Sequence, residues 1–99
     1  MSKEEVKQAI VSSSIAVYGS HPLHEFEEED FQEICFLTRQ YASWCQTDKV
    51  IEKEVSVAFL LILQNISGKG FHIQPVYIDQ ENLKRANDYW SILVNEVYA

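Results

Sequence analysis

Apolar residues return every three or four positions through most of this chain, the period of an amphipathic helix. Over residues 3–18, Val6, Ala9, Ile10 and Val17 recur at that spacing with the small Ser13, and Val11, Ile15 and Tyr18 lie beside them. The stripe is wide enough to touch two neighbouring elements. Ser2 followed by Glu5 has the capping-box pattern that starts a helix, and Gly19 supplies a stop.

A second helix is expected over residues 28–46. Phe31, Ile34, Cys35, Tyr41, Ala42 and Cys45 share one face, and Leu37, Tyr41 and Trp44 make an adjoining stripe. Phe26 and Phe31 have the separation of a hydrophobic staple around a cap at Glu27. Phe36 fits neither stripe and is expected on the surface. Asp48 is suited to cap a third helix over residues 49–66, whose main face is Ile51, Val55, Ala58, Phe59, Ile62 and Ile66. The run VAFLLIL is apolar almost all round, which predicts the most buried element, and Ser67-Gly68 ends it.

FHIQPVYI, residues 71–78, is too short and too proline-broken for a helix, so it reads as an extended segment. A competing reading pairs VSVAFLLIL with FHIQPVYI as a hairpin near residues 55–78, giving an α+β fold. The helical reading ranks higher because its i, i+3, i+4 pattern begins as early as Ile51. After Asp79, a good cap, Ile78 and Leu83 form a staple, and Leu83, Ala86, Trp90, Leu93, Val94 and Val97 trace the face of a last helix. The pattern therefore predicts an all-α protein: an antiparallel four-helix bundle with an extended segment before the last helix, residues 1–99 forming one domain.

Composition agrees with a folded core, since 46% of the residues are hydrophobic and only three Gly and two Pro occur. Charge changes the picture more. Fifteen acids against eight bases give −7, which opposes binding to nucleic acid or an anionic membrane and favours a basic protein partner. The start MSKEEVKQ is charged with no apolar signal core behind it, and the longest apolar run, 57–63, is far too short to span a membrane. These features predict a cytoplasmic protein. Cys35 and Cys45, about 15 Å apart along one helix, lie beyond disulfide reach and read as reduced thiols.

Candidate chemistry concentrates in SHPLHEFEEEDFQE, residues 20–33. His21, His24 and Glu25 have one-turn spacing for a metal, with Glu28 as a fourth ligand. Pro22 restricts that backbone, and no strong zinc pattern is present, so a polar loop before the helix is the better reading and no cofactor is expected. The acids that follow oppose the positive end of a helix dipole, but four in a row, Glu27, Glu28, Glu29 and Asp30, exceed what one helix end uses. Their mutual repulsion would be relieved by a partner carrying Lys and Arg. No nucleophile signature, phosphate loop or carboxylate pair in a raising environment is present, so no enzyme is expected. Tyr89 beside Asp88 and Tyr98 near Glu96 would suit the rim of a protein interface.

In this profile, and in EFEEEDFQE above all, the chain resembles the immunity proteins of bacterial toxin–immunity pairs: short, single-domain, cytoplasmic and acidic. The resemblance implies a small inhibitor that neutralises a toxin domain, such as a nuclease, by occluding its basic surface. The residues that would carry binding are Glu27, Glu28, Glu29, Asp30 and Glu33, with Phe36 and Trp44 as anchors. Two readings stand against it. One is a structural or homodimeric helical subunit that uses Leu37, Trp44 and the wide first-helix stripe. The other is a metal-dependent enzyme built on His21, His24 and Glu25.

Overall fold

The computed structural model describes residues 1–19, 28–66 and 80–99. Among these residues four α-helices are formed: α1 (Lys3–Gly19), α2 (Glu28–Asp48), α3 (Lys53–Ile66) and α4 (Gln80–Ile92). The last continues into a π-helical turn at Leu93–Val97. The protein is all-α, as the periodicity predicts. Residues 55–66 are helical, which removes the hairpin alternative there; its second arm, the extended FHIQPVYI, lies outside the described residues. So do the proposed caps at Glu27 and Asp79, the partners Phe26 and Ile78 of the two staples, and the stop at Ser67-Gly68.

Ser2 does cap α1. Its hydroxyl accepts from the Glu5 backbone N–H at 3.2 Å, while the Glu5 carboxylate reaches back to the Ser2 N–H at 3.4 Å. The boundary between α2 and α3 differs from expectation. Asp48 is the last residue of α2 rather than the cap of α3, and Lys49 follows in the left-handed region at φ 55°. The Lys49 N–H donates to the Cys45 carbonyl at 2.8 Å, an αL cap of the kind usually built on glycine. The chain then reverses, and the Glu52 carbonyl accepts from the N–H groups of Val55 and Ser56 to start α3.

Polar pairs fix how the helices run. Lys3 near the start of α1 meets Asp48 at the end of α2, so these two are antiparallel. Ser56 near the start of α3 bonds Tyr98 beyond the π turn at 2.5 Å, so α3 and α4 are antiparallel too. Lys7 joins Glu52 and Glu54, and Arg85 joins Glu28 while Arg39 joins Glu96. Hence α1 runs parallel to α3 and α2 parallel to α4. Consecutive helices alternate in direction, as an antiparallel bundle requires. Around the bundle, α1 packs on α2 and α3, and α4 packs on the same two, so the order is α1–α2–α4–α3.

The core has one centre. Tyr41 of α2 and Phe59 of α3, both fully buried, meet edge to face with ring centroids 6.0 Å apart. The Tyr41 hydroxyl also accepts the Glu52 N–H at 3.1 Å, which ties α2 to the first turn of α3. Val6 and Ile10 enter from α1 and Ala86, Tyr89 and Leu93 from α4. The π turn holds about one more residue than an α turn, with the Tyr98 N–H donating to the Leu93 carbonyl at 2.8 Å. Leu93 and Val97 are the buried residues of this turn.

Two facial expectations are corrected. On α4, Trp90 is 55% exposed, and Leu83 and Val94 also reach solvent, because the buried line is Ala86, Tyr89, Leu93 and Val97. On α3, expected to be buried almost all round, Leu60 is 60% exposed and Val57 is exposed beside it. A helix at the corner of a four-membered ring has neighbours on two sides only, so its outer side meets water whatever its composition.

Candidate functional site

At 100° per residue, the buried line of α2 through Phe31, Ile34, Thr38 and Cys45 leaves Glu29, Glu33, Phe36 and Gln40 on the opposite side, within about 60° of one another. The structure thus brings two of the acids and the unplaced aromatic of the sequence analysis onto one outward face. Phe36 is 56% exposed there, and Glu33 and Glu29 are exposed about one and two turns before it. A single exposed ring is ordinary on a protein surface; what distinguishes Phe36 is its place among exposed carboxylates on the same face.

The acidic run does not act as a block. Glu28 turns toward α4, where its carboxylate receives the Arg85 guanidinium at 2.9 Å and the Gln32 amide at 2.8 Å. Those two donors hold the Glu28 carboxyl below its usual range, with the Gln32 hydrogen bond the larger cause. Asp30 points around the helix toward the α1 side and is exposed. Among the described residues, Glu29, Asp30 and Glu33 form no ion pair. Glu27 lies outside the described residues. Trp44 is half-buried against the core, about 80° around the helix from Phe36.

Other candidates are placed differently. Tyr89, expected on an interface rim, is fully buried, and burial pushes its phenol well above the ordinary value. Tyr98 is half-exposed, with its hydroxyl on Ser56. Leu37, offered as a spare apolar residue for a homodimer, is 4% exposed and belongs to the core. His21, His24 and Glu25 lie outside the described residues, and Glu28, the proposed fourth ligand, is engaged by Arg85. No group of three or more His, Cys, Asp and Glu side chains is placed to hold a metal among the described residues.

Both cysteines are free thiols and both are buried. Burial pushes the Cys35 thiol up to about 11, and that of Cys45 also upward, which keeps both protonated at neutral pH. An open apolar groove runs between α1 and α3, lined by Val11, Val57, Ala58 and Leu61. The Lys7 ammonium bridges the two helices through Glu52 and Glu54 near the charged end of that groove, and these hydrogen bonds hold its pKa above the usual lysine value. No helix among the described residues is long and apolar enough to cross a membrane.

No protein-family model matches this chain. Neither the curated proteins nor the solved structures give a match.

The arrangement on α2 is suited to recognition. Exposed carboxylates without internal partners raise the negative potential ahead of a surface, and an aromatic ring among them offers apolar area that is released from water on contact. Sequence reading located the acids and Phe36. It could not separate Glu28, whose partner Arg85 stands 57 positions away, from Glu29 and Glu33.

Proposed function

We propose that this chain is a small, non-catalytic binding protein that inhibits a basic protein domain by covering it with the outer face of α2. Glu29 and Glu33 face the partner's Lys and Arg side chains, Asp30 and Glu27 extend the negative field, and Phe36 enters an apolar pocket with the half-buried Trp44 to its side. Glu28 serves the fold, holding α4 in place through Arg85. The observation that carries this reading is the pairing of an exposed Phe36 with two acids that have no ion-pair partner among the described residues.

The mode of action we propose is that of an immunity protein acting in the cytoplasm. A nuclease toxin must present a basic surface to hold nucleic acid, and a protein of charge −7 approaches such a surface faster than a neutral one. Carboxylates on a rigid helix replace phosphates, and inhibition needs no chemistry of its own. The buried, protonated thiols fit a molecule that does nothing covalent.

The test is binding of the purified chain to the basic domain encoded by a neighbouring reading frame, titrated at low and high salt. A complex that weakens with salt and is lost in the double variant Glu29→Lys/Glu33→Lys is the expected result. Undiminished capture by that variant, with its helix content intact, would end the proposal.

A further inference from the structure

We infer that the outward seam between α3 and α4 is a self-association surface on which a second copy of this chain docks through Leu60, Trp90, Val94 and Tyr98. The bond between Ser56 and Tyr98 sets the antiparallel register of the two helices. Four residues back along α4 and four forward along α3 bring Val94 level with Leu60, and Trp90 lies one turn further on. Helical rotation places Leu60 on the α4 side of the outer α3 surface, and Trp90 and Val94 on the α3 side of α4. The four side chains therefore flank one groove, and each is about half-exposed or more. A contiguous apolar strip of this kind marks a contact surface more often than a bare exterior.

Charge identifies the occupant. From Val55 to Ile66, and again from Tyr89 to Asn95, the sequence holds no charged residue. The acids stand outside these two runs: Asp88 immediately precedes the second run, and Glu54 and Glu96, at the ends of α3 and α4, are paired with Lys7 and Arg39, while Glu4 and Glu5 lie on α1 and Glu29, Asp30 and Glu33 on α2. Two such bodies repel wherever those helices would face each other, and the α3–α4 seam is where they can approach without opposing charges of one sign. A basic partner would find no carboxylate there to pair with. An apolar, uncharged strip is complementary to itself, as a two-fold contact demands. Two adjacent helices, each about 20 Å long and about 10 Å across, offer a face of about 400 Å², roughly half of what a standard interface uses per partner, which suits a weak, reversible dimer.

The bundle order gives the dimer a further property. α2 stands diagonally across from α3, so the face carrying Phe36 points away from the seam. Two copies joined at α3 and α4 present two open α2 faces and can hold two partner molecules.

Sedimentation velocity of the purified chain over a range of concentration and salt tests the inference without any partner, so its outcome is separate from that of the proposed inhibition. The expected result is a dimer that tightens as salt rises, because screening removes the repulsion and leaves the apolar contact. Leu60→Lys and Trp90→Lys should each raise the dissociation constant about ten-fold or more, with Phe36→Ala as an unaffected control. Both positions are exposed, so helix content and urea midpoint should stay close to those of the parent chain. A monomer at high micromolar concentration in both low and high salt overturns the inference. So does a dimer indifferent to both lysine variants.

Discussion

The Tyr89 hydroxyl donates its hydrogen to the Thr38 hydroxyl at 2.8 Å in the interior of the bundle, and both side chains are fully buried. The direction follows from stoichiometry. Thr38 has one hydroxyl hydrogen, which goes to the Ile34 carbonyl at 2.8 Å, so the remaining hydrogen must come from tyrosine. This short chain links α2 to its parallel neighbour α4. Among the described residues, no buried side-chain polar atom lacks a partner.

Removing the threonine end of that link should cost at least as much as removing both ends. Thr38→Val strands the tyrosine hydroxyl in the core, a loss of about 1–3 kcal/mol. Tyr89→Phe leaves Thr38 on its carbonyl and should cost about 1 kcal/mol. The double variant should be no less stable than Thr38→Val alone, which gives a coupling on the order of 1 kcal/mol in a urea-denaturation cycle.

Lys49 occupies a left-handed conformation at φ 55° with its side chain exposed. A β-carbon is unfavourable there and glycine is not, so Lys49→Gly should stabilise the protein by about 1 kcal/mol. Alanine at the same position should bring no such gain. Chemical-denaturation midpoints of the two variants distinguish a backbone effect from loss of the lysine charge.

Stability should fall on the alkaline side. The folded state holds the Cys35 proton up to about 11, whereas an unfolded thiol releases it near its ordinary value of about 9. Between those values the folded state binds more protons than the unfolded one, so the free energy of unfolding decreases with rising pH. Buried Tyr89 and Cys45 shift in the same direction and steepen the loss. Thermal unfolding followed from pH 7 to 11 should show a flat region and then a decline, and Cys35→Ala should make the decline shallower.

Acids adjacent in sequence should behave differently when reversed. Glu28→Lys sets two cations against each other at the Arg85 contact and should lower the unfolding midpoint. Glu29→Lys and Glu33→Lys, on the outer face, should leave it nearly unchanged while weakening partner capture. A dominant loss of capture from Glu28→Lys at unchanged stability would contradict the division of labour on α2.

Helix identity and most buried faces were legible in the sequence because they depend on neighbours within one helix. The i, i+3, i+4 recurrence of Phe31, Ile34, Cys35, Tyr41, Ala42 and Cys45 specified the inner side of α2, and the structure buries all six. Ser2 and Glu5 specified a cap through atoms three residues apart. The same local rule left Phe36 outside, and it is outside. What periodicity leaves open is the choice between adjacent apolar residues such as Tyr89 and Trp90, and whether the outer residues of an all-apolar run, such as Leu60, are covered. Only the ring order α1–α2–α4–α3 made that choice, because it decides which flank of each helix has a neighbour. It also placed Arg85 against Glu28 and so separated a structural carboxylate from the exposed ones beside it. Sequence thus determined the helices and the excess of negative charge, whereas packing between distant segments decided which acids and which aromatic rings face water, since burial belongs to pairs of surfaces and not to single positions.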